Sequence, residues 1–214
     1  HTQARYVLPT PVAQLRRQLP NLRISLHQGS PDQVARMLLD ETADIGLATE
    51  SLAQIPELVS LPCYEWQHVM VVPRDHPLAE APRITLEQLA TQPLVTYHAS
   101  FTGRTRIDRA FASRGLTPEI ALEAIDSDVL KTYVRLGMGV GLVAEMAMQE
   151  EPPNSELVWR PLGQLLGQNV TRVAFKRGAY LRNYVYSFAE MLSDRLSRKL
   201  IERAMSGEAT DYGM

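Results

Sequence analysis

The chain has 214 residues, is 45% hydrophobic and 21% charged, and carries a formal net charge of −2. That length suits one large domain or two small lobes. The charge argues against a domain that grips nucleic acid through an overall positive surface, and no apolar run of about 18 residues is present to cross a membrane. The one cysteine, Cys63, excludes a disulfide framework within the chain and any zinc-type cysteine spacing.

The first residues, "HTQARYVLP", carry no signal-peptide pattern. They place an imidazole, a hydroxyl and an amide just before an apolar stretch broken by Pro9 and Pro11. A first helix follows in "PVAQLRRQL". "RISLHQG" alternates at Ile24 and Leu26 and reads as a strand. "SPDQVARMLLDETA" reads as a helix with Ser30 as N-cap, Pro31 in the first turn and Asp32 at the positive end of the dipole. Val34, Met37 and Leu38 give it an apolar face. "DIGLATE" reads as a strand buried on both sides. Further strands are predicted in "LVSLPCY", "HVMVVPR", "PLVTYH", "EIALEA", "VGLVAE", "LVWRPLG" and "TRVAFKR". Helices are predicted in "TLEQLATQ", "GRTRIDRAFASRG" and "DSDVLKTYVRLG", with one long C-terminal helix in "YLRNYVYSFAEMLSDRLSRKLIERAM". The polar tail "SGEATDYGM" is expected to fray.

Alternating strand and helix mean βαβ units, an α/β fold and a mostly parallel sheet. There are too many strands for one tidy sheet of this length, so two linked lobes fit better. Crossovers near "CYEWQ" and "LLGQN" put residues 1–64 and 168–214 in one lobe and residues 65–167 in the other.

Little in the sequence points to catalysis. His1, His27, His68, His76 and His98 form no metal pair at helical spacing, and there is no nucleophile elbow or Walker loop. Asp126 and Asp128 form a carboxylate pair, but Asp126 stands where a helix needs its cap. "GMGVG" follows a helix and precedes a strand, whereas a dinucleotide fingerprint follows a strand and opens a helix. Gly137 and Gly139 therefore read as a helix C-cap and turn. Cys63, in "SLPCYEW", reads as a small buried residue, because a reactive thiolate needs a basic neighbour that the sequence does not name. No catalytic residue, metal site or resident cofactor is expected.

Hydroxyls do cluster at strand-to-helix junctions: Thr2-Gln3, Gly29-Ser30, Thr49 and Ser51, Ser100, Thr102 and Gly103, and Ser127. Ligands of open α/β sheets bind beyond the carboxyl ends of strands, beside helix N-termini whose free N–H groups favour anions. Such a set holds an oxyanion without a lysine, with Arg104 near enough in sequence to help. Each residue alone reads more readily as an ordinary helix cap than as a ligand contact. The case rests on the set occurring in both lobes.

"HTQARYVLP", "HQGSPDQVARMLLDETADIGLATE", "LPCYEW", "VVPRDHPL", "FTGRTRID", "AIDSDVLKTYVRLGMGVGLVAE" and "FKRGAYLRNYVYSF" together resemble the effector-binding domain of LysR-type transcriptional regulators, in particular the CysB/Cbl subgroup that controls sulfur assimilation. The likeness runs from His1 to about Leu192. It implies two Rossmann-like subdomains with a ligand cleft between them, like a periplasmic binding protein. It also implies a small effector: sulfate, thiosulfate, O-acetylserine, N-acetylserine or adenosine phosphosulfate. Thr2, Gln3, Thr49 and Thr102 match the anion contacts, Trp66 matches a cavity-lining position, and backbone groups from Ser100 to Gly103 join the set. The family pattern has a further threonine pair just before His1, which this sequence does not include. Upstream, the resemblance places a strand, a linker helix and a winged helix-turn-helix through which DNA is bound. It further implies a cytoplasmic protein that pairs "PVAQLRRQL" of one copy with "VLKTYVRLG" of another in a homodimer. The full-length form would be a homotetramer, with RNA polymerase as a further partner and no membrane. Two other functions fit the fold class, a free-standing oxyanion receptor and an α/β enzyme. The residues encoded before His1 separate the first of these from a regulator, and the missing nucleophile, metal site and cofactor loop weigh against the second.

Overall fold

The computed structural model describes residues 1–208; residues 209–214 of the tail expected to fray lie outside the described residues. In chain order the regular elements are α1 (Pro9–Gln18), α2 (Pro31–Leu39), β1 (Gly46–Ala48), β2 (Leu58–Pro73), α3 (Leu86–Ala90), β3 (Leu94–Tyr97), α4 (Thr102–Ala112), β4 (Ile120–Ala124) and α5 (Ser127–Arg135). Then come β5 (Val140–Ala144), β6 (Leu157–Pro161), α6 (Gly163–Leu166), β7 (Gln168–Lys176), α7 (Asn183–Leu192) and α8 (Arg198–Met205). A π-helical turn covers Gln3–Val7, and short 3-10 turns cover Glu50–Gln54 and Glu145–Ala147.

These elements form two compact units. The inserted unit holds Trp66–Asn169 together with His1–Thr2; the terminal unit holds Gln3–Glu65 and the chain from Val170 onward. The chain passes from one to the other inside β2 and again inside β7.

In the inserted unit the strand order is β6-β2-β5-β3-β4. β3 lies parallel to both β4 and β5, whereas β2 is antiparallel to β5 and β6. The sheet is therefore mixed rather than mostly parallel. A parallel pair needs a long crossover: α4 carries the chain from β3 to its neighbour β4, and α5 carries it from β4 to β5 on the other side of β3. The core beneath them includes Met70, Leu94, Ile107, Phe111 and Leu142, each at most 1% exposed.

The sheet of the terminal unit is β1-β7-β2, with β1 antiparallel to β7 and Leu47 opposite Val173. Leu61, Cys63, Phe175 and Ile201 form its main core, and Leu38 and Leu52 form a second one. Burial pushes the Cys63 thiol up to about 12, in keeping with a small packing residue.

Local signals hold where they were readable. Ser30 and Gln33 form a reciprocal capping box, with Gln33 N donating to Ser30 Oγ at 3.4 Å and Ser30 N donating to Gln33 Oε1 at 2.8 Å. Asp126 caps α5 by accepting from Asp128 N at 2.7 Å. α5 ends at Gly137 (φ +78°), where Gly137 N donates to Val134 O and Met138 N to Tyr133 O, a Schellman arrangement. Gly139 has another reason to be glycine: a Cβ there would stand 2.3 Å from Pro93 O.

Other expectations are corrected. "RISLHQG" forms no strand; Ile24 and Leu26 are 37% and 52% exposed. Alternation distinguishes two faces, but a strand also needs a partner edge for its N–H and C=O groups. "LVSLPCY" and "HVMVVPR" are one strand, the 16-residue β2. The long C-terminal helix is two helices. Ser193 is extended and its hydroxyl donates to Cys63 O at 2.5 Å, while Ser197 caps α8 by accepting from Leu200 N at 3.2 Å. Two serines competing for backbone partners break the helix. The apolar rhythm nonetheless persists because Leu196, in the break, is also buried.

Candidate functional site

In the inserted unit the fully buried β3 delivers its C-terminal end to the start of α4. The turn between them consumes several donors. Ser100 N donates to His98 Nδ1 at 3.2 Å, Ser100 Oγ lies 2.9 Å from the same nitrogen, and Phe101 N donates to His98 O. Ser100 is thus exposed and tied into its own turn, and its N–H is not free for a ligand. α4 begins at Phe101 with no side-chain cap. Thr102, half-buried, is the first helical residue rather than the cap, and its N–H and that of Gly103 belong to the first turn, which lacks intrahelical acceptors.

Beneath this turn lie Gly103, His68 and Trp66. Trp66 is 6% exposed and meets His68 edge-on, with ring centroids 5.0 Å apart. His68 is wholly buried, and burial, with the nearby Arg106 charge, pushes its pKa down to about 3. The ring is therefore neutral at physiological pH.

Thr2 occupies a different position in the same unit. Its hydroxyl is 3.3 Å from Ser127 Oγ, which lies 2.6 Å from the Tyr97 hydroxyl. Tyr97 in turn accepts from Ala144 N at 2.9 Å. This hydroxyl chain joins the N-terminus of α5 to the ends of β3 and β5. Burial pushes the Tyr97 phenol up, so it acts as a neutral hydrogen-bonding group. Sequence reading missed both Tyr97 and His68. Tyr97 carried a usable signal, since it ends a buried strand just before a strand-to-helix junction.

In the terminal unit Gln3 is engaged at both ends of its amide. Its Oε1 accepts from the Tyr64 hydroxyl, and its Nε2 donates to Thr171 Oγ1 at 3.5 Å. Thr49 opens the 3-10 turn after β1 without a side-chain cap bond. The hydroxyl oxygens of Thr49 and Ser51 are buried and have no hydrogen-bond partner among the described residues.

Arg104 is not available as an anion ligand. It is 8% exposed, and its guanidinium donates to Asp108 at 2.7 Å, Glu123 at 2.5 Å and Tyr97 O at 3.0 Å. Its charge is spent in holding α4 to β4. Of the expected set, the structure brings Trp66, Thr102 and Gly103 together around His68, gathers Thr2 with Ser127 and Tyr97, and puts Gln3 beside Tyr64 and Thr171. Thr49, also in the terminal unit, has Ser51 two residues further along the chain. Among the described residues no three His, Cys, Asp or Glu side chains are placed to hold a metal ion. The donors are hydroxyls, amides and first-turn N–H groups. They suit hydrogen bonding to an oxyanion.

Comparison with known proteins accords with this chemistry. Residues 1–197 match the family model described as the LysR substrate binding domain. The chain is 54% identical to the HTH-type transcriptional regulator CysB of Burkholderia cenocepacia, over 99% of this chain and 67% of that protein. It is 44% identical to the HTH-type transcriptional regulator cbl of Escherichia coli, over 99% of this chain and 68% of that one. It thus spans about two thirds of the length of these relatives, which are regulators rather than enzymes. The cofactor-binding domain of the Cbl transcriptional regulator matches with a TM-score of 0.90 at 44% identity, over 96% of this chain and 90% of that structure. The regulatory domain of CcmR from Synechocystis PCC6803, at 21% identity and a TM-score of 0.80 over 92% of this chain and 94% of that one, shares the fold. Two α/β units on shared strands, neutral donors at strand ends and a family match from His1 onward lead to one assignment: the chain belongs to the LysR substrate-binding domain family and has the periplasmic-binding-protein-like fold of that family.

Proposed function

We propose that this chain is the effector-sensing part of a cytoplasmic LysR-type DNA-binding regulator of sulfur assimilation and cysteine biosynthesis. Its effector is a small oxyanion or acetylserine-type molecule: sulfate, thiosulfate, O-acetylserine, N-acetylserine or adenosine phosphosulfate. In the inserted unit Thr2, Thr102, Gly103 and Trp66 serve the effector, with Ser100 shaping the turn; in the terminal unit Gln3 and Thr49 do so. The observation that carries the reading is the buried, unpartnered hydroxyl of Thr49 beside that of Ser51. Buried polar atoms are nearly always hydrogen-bonded, so two buried hydroxyls with no protein partner at one strand end support a ligand contact there. Neutral donors and a helix N-terminus stabilise an anion while leaving shape to discriminate, and Arg104, already neutralised, adds no indiscriminate attraction.

The test is calorimetric titration with each of the five candidates. Hydrogen bonds to a charged group contribute about 1.5–3 kcal/mol, so Thr102→Ala weakens the true effector roughly ten- to a hundredfold. Its melting temperature stays unchanged, because Thr102 caps no helix. Unaltered affinity for every candidate, or no binding of any, would defeat the proposal.

Association follows the family pattern of a homodimer, with a tetramer in the full-length protein. α5 and its flanks carry an exposed apolar stripe at helical spacing: Ile125, Val129, Tyr133 and Leu136, which are 36–70% exposed. α1 contributes less, since Leu15 is buried in its own unit and Leu19 is 40% exposed. DNA is contacted through a helix-turn-helix domain upstream, and RNA polymerase is a partner of the full-length regulator.

A further inference from the structure

His68 and Gly103 meet closely beneath the first turn of α4. His68 projects from β2, and its Nδ1 accepts from Asn169 Nδ2 at 3.3 Å. With Nδ1 accepting, the neutral ring carries its proton on Nε2. That nitrogen is buried and has no hydrogen-bond partner among the described residues. It faces the first turn of α4. A Cβ added at Gly103 would stand 3.1 Å from Nε2, 3.3 Å from Cε1 and 3.4 Å from Trp66 Cη2. The φ of Gly103 is not among the positive ones. Glycine therefore leaves the room here for a helix turn to rest directly on an imidazole.

We propose that His68 is a positioning residue for effector binding: its ring, anchored by Asn169 and braced by Trp66, sets how closely the first turn of α4 lies on β2, and Gly103 permits that approach. The proposal rests on the reading that Thr102 and the α4 first turn contact the effector; His68 itself touches none. Packed interiors do not deform continuously, so a methyl group at residue 103 moves the turn by a few tenths of an ångström or moves the ring. Either shift displaces the N–H groups and the Thr102 hydroxyl together. A neutral ring suits the role, because an imidazolium would set a buried charge against the positive end of the helix.

A double-mutant cycle on the 214-residue protein tests this, with two readouts. The backbone amide shifts of Thr102, Gly103 and Arg104 are recorded without ligand, and the affinity for inorganic sulfate is measured. His68→Asn keeps an amide for Asn169 and removes the ring atoms that face Gly103; His68→Ala is the second background should the first not fold. In the wild-type background Gly103→Ala shifts the three amides and weakens sulfate binding about tenfold, as expected when aligned charge-assisted hydrogen bonds are displaced. In the His68→Asn background the same change gives only the amide shifts intrinsic to replacing glycine by alanine, and leaves the sulfate affinity within twofold of that background. Equal effects of Gly103→Ala in both backgrounds overturn the positioning role, as do amide shifts in the first that do not exceed those intrinsic to replacing glycine by alanine. Coupled amide shifts in a wild-type protein that binds no sulfate overturn sulfate as effector while upholding the contact, so the two readings fail separately.

Discussion

Folding stability should fall on mild acidification through a single buried ring. His68 is wholly buried, and its pKa is pushed down from 6.5 to about 3. The unfolded chain exposes this histidine near its ordinary value. Above about pH 6.5 neither state binds the proton, so the group adds no pH dependence. Below it the unfolded state takes up a proton that the folded state refuses, and the unfolded state gains about 1.36 kcal/mol per pH unit. At pH 5 that amounts to about 2 kcal/mol, a substantial part of a typical stability of roughly 5–15 kcal/mol. The full loss would be reached only near pH 3. The perturbation is His68→Gln, which is neutral at every pH and keeps a polar side chain of similar reach. Urea unfolding of both proteins at intervals from pH 8 to 5 gives the difference. The two stability curves should run parallel above pH 7 and diverge by about 2 kcal/mol at pH 5, with the wild type falling faster. Curves that stay parallel down to pH 5 would refute the buried neutral ring.

Three further outcomes can be measured. Tyr97→Phe removes the hydroxyl that accepts from Ala144 N and meets Ser127; it should cost about 1–3 kcal/mol in thermal or urea melts, since a buried N–H loses its acceptor. Gly139→Ala should destabilise more than Gly137→Ala. The first drives a Cβ to 2.3 Å from Pro93 O, whereas the second meets open space at φ +78° and costs only about 1–2 kcal/mol of backbone strain; the reverse order in melting temperature would contradict the geometry. Leu136→Glu, at a side chain 70% exposed, should shift sedimentation from dimer toward monomer with the melting curve of the monomer unchanged. A dimer of undiminished affinity would exclude the α5 stripe as the interface.

The features legible in the sequence were those settled within about four residues. The cap at Ser30, the cap at Asp126 and the glycine stop at Gly137 each satisfy backbone groups next door, so the residues alone declare them. Features that depend on distant partners were not legible. Ile24 and Leu26 alternate as a strand would, but pairing depends on an edge elsewhere. Arg104 looked available to an anion because Asp108 is a helical turn away and Glu123 lies on another strand, and only the fold closes them around it. The break at Ser193 hides for the same reason, since its partner is the Cys63 carbonyl. The hydroxyl positions were readable as strand-end junctions, whereas the aromatic and imidazole groups beneath them, Tyr97 and His68, looked like ordinary strand residues.

The sharing of β2 and β7 between the two units has a consequence for biosynthesis. β1 pairs with β7, placing Gly46 opposite Ala174, so the terminal unit cannot complete its sheet until the second of its two segments has left the ribosome. The inserted unit closes earlier, once Asn169 has emerged. Joining the two segments across on the order of 100 flexible residues carries a loop-closure penalty of about 4 kcal/mol; a folded inserted unit reduces that loop to a short, compact link. Order of synthesis and order of assembly therefore run differently, with the middle of the chain folding before its beginning. Lesions that delay the inserted unit, even ones remote from the terminal unit, should reveal themselves as prolonged exposure of the unpaired β1 and β2 edges to chaperones.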